Sequence, residues 1–167
     1  MPRRRDLLGM TILAGAGAGV LALWPRLHVA EAETAATANF PVTHTDAEWR
    51  KLLSPAAYEI LRQQGTELPY SSPLDRETRT GTYSCLGCGQ AVYSSATKYD
   101  SHTGWPSFWQ KLPGAIGERV DMSFGMERTE VHCARCGGHL GHVFPDGPPP
   151  TGLRYCMNGA ALSFQPA

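Results

Sequence analysis

Five cysteines and one closely spaced histidine pair are the residues here whose types and spacing could do chemistry. Cys85-Leu86-Gly87-Cys88 and Cys133-Ala134-Arg135-Cys136 are two C-x-x-C pairs, each followed by glycine (Gly89; Gly137-Gly138). A tight turn lets both thiolates of a pair point at one ion, and the glycine lets the backbone curl around it. Two such pairs complete a closed tetrahedral site of four sulfurs, with no coordination position left for a substrate. The reading is one structural zinc on Cys85, Cys88, Cys133 and Cys136. The 44 residues between Cys88 and Cys133 are too many for a self-contained finger, so the ion should staple two distant hairpins. Disulfides and redox C-x-x-C centres are the competing uses of these thiols. The paired spacing with flanking glycines favours zinc.

An odd number of cysteines leaves Cys156 without a partner in the chain. A lone cysteine is most often a buried, inert hydrophobe. In a strand, however, Arg154, Cys156 and Asn158 share one face. A cation and an amide donor there favour thiolate over thiol, which a nucleophile requires. His139 and His142 lie three apart, so a regular strand would turn them to opposite faces. Gly141 between them permits a bulge that brings both to one site for acid–base work. Gly104-Trp105-Pro106-Ser107-Phe108-Trp109 packs three aromatic rings around a proline. They form either core or the wall of a pocket for a soft, sulfur-bearing group. Trp105 and Phe108 are the candidates for that wall.

The elements that must position these residues follow from punctuation and period. Thr45-Asp46-Ala47-Glu48 is a capping box, with Trp49, Leu52 and Leu53 as the apolar face of a first helix. Ser54-Pro55 opens a second, with Ile60 and Leu61 facing the core and Gly65 as its stop. Beyond Gly65 the pattern is short strands: Gly81–Cys85, Ala91–Tyr93, Val120–Phe124, Glu130–Cys133, His139–Phe144, Leu153–Asn158 and Ala161–Phe164. The expected architecture is an antiparallel β core behind two leading helices. With 167 residues, 42% of them hydrophobic and 18% charged, one globular domain is expected. Lys plus Arg and Asp plus Glu each number 15. Zero net charge argues against a nucleic-acid partner.

Residues 1–32 read as an address. Arg3-Arg4-Arg5-Asp6-Leu7-Leu8 precedes a Gly/Ala-rich apolar run to Trp24, and Ala30-Glu31-Ala32 is a small-x-small cleavage pattern. This is a secretory signal of twin-arginine type. The run is about the 18 residues a membrane anchor needs, the alternative if cleavage does not occur. Residues 33–45 are a flexible leader and 46–167 the functional domain. Cleavage would leave eleven basic against thirteen acidic residues.

Taken together the segments resemble the B-type methionine sulfoxide reductases, which reduce the R epimer of methionine sulfoxide. The resemblance runs from about Asp46 to Phe164 and rests on ordered motifs: Gly65-Thr66-Glu67 with Pro69-Tyr70-Ser71, the first C-x-x-C, Gly104-Trp105-Pro106-Ser107-Phe108, Arg128-Thr129-Glu130-Val131, the second C-x-x-C, His139-Leu140-Gly141-His142-Val143-Phe144, Asp146-Gly147-Pro148, and Pro150-Thr151-Gly152-Leu153-Arg154-Tyr155-Cys156. It implies a mainly β fold of two antiparallel sheets, with short N-terminal helices and a zinc-stapled pair of hairpins. It implies that Cys156 attacks the sulfoxide sulfur and is left as a sulfenic acid. His139 and His142 would bind and protonate the sulfoxide oxygen. Trp105 would pack on the substrate methyl, Asn158 would position the oxygen or a water, and Arg154 would hold the thiolate. The implied partners are oxidised methionine in proteins or peptides, or free, and a thiol reductant (thioredoxin-like or small). No nucleic acid, and no membrane after signal cleavage, is expected, and the chain should act as a monomer.

Four positions depart from the family pattern. Thr103 stands where many members carry a resolving cysteine, and His102 where glycine is usual. Met157 follows the nucleophile in place of a branched aliphatic residue. Gly159 replaces the serine after Asn158. With four thiols on zinc, the sulfenic acid must be reduced by an outside thiol. A zinc module that only binds a partner protein, with Cys156 inert, and a cysteine hydrolase using Cys156 with one histidine are the rival readings.

Overall fold

The computed structural model describes residues 39–167. The export signal expected at 1–32 and the first part of the expected leader lie outside the described residues. Helix α1 (Asp46–Leu52) begins with the expected reciprocal cap: Glu48 N–H donates to Thr45 Oγ1, and Thr45 N–H donates to the Glu48 carboxylate. Trp49 and Leu53, four apart, turn inward, while Leu52 is 61% exposed and is no part of that face. Helix α2 (Pro55–Gln63) is capped by Ser54 and buries Ala57, Tyr58, Ile60 and Leu61. It stops one residue earlier than expected. Gln64, not Gly65, takes the left-handed position at φ 58°. The Gln64 and Gly65 N–H groups both wrap back to the Glu59 carbonyl and close the helix end.

Among the described residues nine strands follow: β1 (Gly81–Cys85), β2 (Ala91–Ser94), β3 (Lys98–Tyr99), β4 (Ser107–Phe108), β5 (Ile116–Asp121), β6 (Arg128–Cys133), β7 (His139–Phe144), β8 (Arg154–Met157) and β9 (Leu162–Pro166). They form two antiparallel sheets, ordered β2-β1-β9 and β3-β4-β8-β7-β6-β5. The strand expected at Val120–Phe124 sits earlier in the chain. The Asp121 carboxylate accepts from the Ser123 N–H and closes a turn there, leaving Phe124 87% exposed. The two-residue strands β3 and β4 were not anticipated; they are too short to show a period.

The core forms where aromatic side chains of the small sheet meet one from the large sheet. The Tyr93 ring stacks on Phe108 at 4.3 Å, and Tyr83 meets the same ring edge-on at 4.9 Å. Burying rings of this size dominates core energetics. The Tyr93 hydroxyl donates to Met157 Sδ at 3.2 Å, so Met157 is a core residue. Among the described residues, no helix is long and apolar enough to cross a membrane.

Candidate active site and metal centre

The C-x-x-C pairs sit at the hairpin turns of different sheets: Cys85 and Cys88 between β1 and β2, Cys133 and Cys136 between β6 and β7. In each turn the N–H of the following glycine bonds back to the first cysteine's carbonyl. Gly89 at φ 73° and Gly137 at φ 67° take backbone conformations that side chains resist. All four sulfurs lie within 4.8 Å of one another. Cys85–Cys136 and Cys88–Cys133 are separated by 3.7 and 3.5 Å. A tetrahedral ion with metal–sulfur bonds of about 2.3 Å needs sulfur separations near 3.8 Å, so this donor set fits a four-thiolate metal.

The remaining cysteine lines a cleft of about 140 Å³ together with Trp105, His142, Asn158, Thr66, Arg128, Gly141 and Phe144. Cys156 lies on β8, opposite Ser107 on β4 and His142 on β7. The bulge inferred at Gly141 exists: Val131 and His132 of β6 face Gly141 and His139 of β7, leaving Leu140 as the extra residue. It brings His139 and His142 to one side, with ring centroids 5.3 Å apart. A Cβ at position 141 would overlap the Cys156 carbonyl oxygen, so only glycine lets β7 and β8 close here.

Each histidine is oriented by a carboxylate. His139 Nδ1 lies 2.8 Å from Glu130 Oε1, and His142 Nε2 lies 2.7 Å from Asp121 Oδ2. Burial alone would raise the Glu130 carboxyl, but bonds from His139 and Arg119 overcome it and bring it down to about 2. Asp121, held by the Ser123 N–H and His142, is also held well below the usual carboxylate range. Both acids are therefore ionised at neutral pH, so the facing ring nitrogens carry the protons. His139 Nε2 is buried without a hydrogen-bond partner among the described residues. With Nε2 facing Asp121, His142 can give a proton from its other nitrogen only as imidazolium. Burial pushes His142 below its ordinary value, against the pull of Asp121.

Burial pushes the Cys156 thiol up from its ordinary value. Arg154, and the hydroxyls of Thr103 and Ser107, pull the other way without prevailing. The activated thiolate expected from Arg154 and Asn158 is thus not the resting form. Arg154 divides its charge, because it grips Asp146 through two hydrogen bonds of 2.9 and 2.8 Å. Thr103 Oγ1 sits 4.0 Å from Cys156 Sγ.

Trp105 lines the cleft with its indole N–H fixed on the Glu67 carbonyl at 3.1 Å. The Asn158 amide is engaged on both sides: its oxygen accepts from the Glu67 N–H, and its nitrogen donates to the Leu140 carbonyl. Phe108 offers the cleft no surface. It is fully buried, because the residue that shares β8's cleft side is its strand neighbour Ser107. His102 lies in an exposed loop near Asp100 and does not line the cleft. At Gly159 a Cβ would collide with the Ser72 side chain, which accounts for glycine there.

Glu67, Asp121, Arg128 and Glu130 were given no role from sequence. The motifs Gly65-Thr66-Glu67 and Arg128-Thr129-Glu130-Val131 contain three of them, but a lone acid says nothing about which histidine it will meet.

A profile of the SelR domain matches residues 53–166. The chain belongs to the SelR family. Other proteins similar to this SelR domain come from Leptospira interrogans, 53% identical over 128 residues, 76% of this chain and 98% of that one. One from Agrobacterium fabrum is 52% identical and covers 75% of this chain and 93% of its own. One from Thiobacillus denitrificans is 56% identical and covers 73% and 93%. All three relatives carry the name peptide methionine sulfoxide reductase MsrB. Within the SelR domain, the four-sulfur cluster sits at the turns of the β1–β2 and β6–β7 hairpins, while the Cys156 cleft takes Arg128 and Phe144 from the opposite end of that same β6–β7 hairpin, so the two sites share no lining residue.

Proposed function

We propose that the chain is a peptide-methionine (R)-S-oxide reductase whose nucleophile is Cys156. The observation that carries this reading is one cleft, in a SelR-family chain, that holds a thiol, a carboxylate-oriented histidine and an indole wall. Trp105 takes the substrate methyl. Cys156 Sγ attacks the sulfoxide sulfur while His142, backed by His139, protonates the oxygen. Net oxygen transfer converts thiol and sulfoxide into sulfenic acid and thioether. Asn158, pinned to Glu67 and Leu140, holds the wall behind the sulfoxide.

The sulfenic acid is resolved from outside. The other four cysteines stand together as one metal-binding group, and Thr103 offers only a hydroxyl beside Cys156. A first external thiol condenses with the sulfenic acid to a mixed disulfide and water. A second releases Cys156 as thiol and leaves as the external disulfide. The ion on Cys85, Cys88, Cys133 and Cys136 is zinc and structural; the soft, closed thiolate set supports this. Residues 1–32 act as a twin-arginine export signal, so the substrates are oxidised proteins of the periplasm or cell envelope. Export in the folded state would let zinc load before secretion.

The test is turnover of separate R and S methionine sulfoxide epimers with dithiothreitol, beside Cys156→Ser. Activity on R alone, abolished in the variant, is expected. Turnover of neither epimer by folded, metal-loaded protein would remove the assignment.

A further inference from the structure

The Cys156 cleft holds about 140 Å³, room for one side chain and not for the polypeptide that carries it. Thr66 on its rim also lines a second, larger cavity of about 720 Å³. That groove runs between α2 and β9. Ala56, Glu59 and Ile60, spaced as one helical face, form one wall. Leu162, Ser163 and Phe164 form the other. Successive strand residues point to opposite faces, so a cavity touching three in a row meets β9 along its edge. β9 pairs with β1 alone, and its other edge carries no strand among the described residues. The Leu162 N–H already bonds to the Gly159 carbonyl and Pro166 has no N–H, but the remaining backbone groups of such an edge let a partner in extended conformation add to it.

We propose that this groove takes the peptide flanking the oxidised methionine, laid as an extended strand between α2 and the free edge of β9. The proposal rests on the reductase reading of the Cys156 cleft. Leu74 and Phe164 give an apolar floor for one side chain of the flanking peptide. The occupant is a peptide rather than a second domain because Thr66 lines both the groove and the cleft, and Glu67, the next residue, accepts from the Gly159 and Ala160 N–H groups beside them. A methionine held in the cleft therefore has its own chain ends at the mouth of the groove.

Ala56 is exposed and does not line the Cys156 cleft, so Ala56→Trp puts a ring into the groove and leaves the cleft's lining residues in place. The measurement is kcat/KM of the full-length chain, with dithiothreitol, on N-acetyl-methionine-R-sulfoxide and on a nine-residue peptide with one central methionine-R-sulfoxide and apolar flanks. The expected result is a preference for the peptide of about tenfold, the worth of a few backbone hydrogen bonds and one buried side chain. Ala56→Trp should erase it and leave the N-acetyl substrate within about twofold, and Ala56→Ser should retain it. Equal kcat/KM on both substrates in the unsubstituted chain, as when the groove is filled by the chain's own residues, overturns the proposal. So does an Ala56→Trp loss shared by both substrates. No turnover of either substrate would instead sink the reductase reading itself.

Discussion

Two shifts at single residues set how this site must respond to pH. Cys156 is pushed up by burial and His142 is pushed down by burial, so at neutral pH thiol and neutral imidazole dominate. In the proposed reaction the reacting pair is thiolate with imidazolium, a minor form of the same protonation level. Below the His142 value, added acid depletes thiolate and gains no further imidazolium. Above the Cys156 value, added base depletes imidazolium and gains no further thiolate. The profile of kcat/KM should therefore be a broad plateau, falling below an apparent value under the ordinary histidine range and above one over the ordinary thiol range. Arg154→Met removes the main cation opposing the thiol's rise, and should lower the plateau by about tenfold for each unit the thiol moves. Asp121→Asn should lower it too, by withdrawing the anion that favours imidazolium. A plateau unchanged in both variants would mean that neither charge reaches the reacting pair.

At the level of elements, the β7 bulge decides whether the two histidines act together. Gly141 is its hinge, and there the β8 backbone leaves no room for a Cβ. Gly141→Ala should push β7 from β8, destabilise the fold by about 1–3 kcal/mol and separate His142 from Cys156. Denaturant melts should show the first effect and a fall in kcat exceeding any rise in KM the second. Normal activity with normal stability would show that β8 absorbs the methyl. This hinge was legible in the sequence, because a strand with histidines three apart can unite them only through a bulge, and glycine marked where. β1, β2 and β7 were legible for a related reason: their apolar positions lie between clear turn residues. β3 and β4 were not, since two residues show no period. Nor was the turn at Asp121. There a side chain that reads as a polar strand residue both ends β5 and reaches His142 on another strand, a contact of 21 residues' separation. Phe108 was misplaced for the same reason. Its motif put it near Trp105, but alternation along β4 turned it into the core.

At the scale of the whole domain, the four-cysteine cluster joins what the sheets leave separate. Cys85 and Cys88 belong to the three-stranded sheet and Cys133 and Cys136 to the six-stranded one. Between the sheets, the direct hold is mainly the aromatic packing of Tyr83, Tyr93 and Phe108. Leu61 of α2 adds to it beside the cluster, against Gly138. Removing the ion would leave four thiols crowded within 4.8 Å with only weak sulfur hydrogen bonds among them. Because a preformed thiolate cage binds metal far better than the unfolded chain does, the ion's binding free energy is folding free energy. Chelation, or Cys133→Ser, should release one equivalent of metal per chain and lower Tm by roughly 10–20 °C, the equivalent of several kcal/mol for a domain of this size. The cleft shares the β6–β7 hairpin with the cluster but lies toward its other end and shares no lining residue with it, so any residual folded apo-protein should keep the Cys156 alkylation rate and its pH dependence. Loss of Cys156 reactivity in step with metal, at a temperature where the fold persists, would show instead that the centre positions the nucleophile.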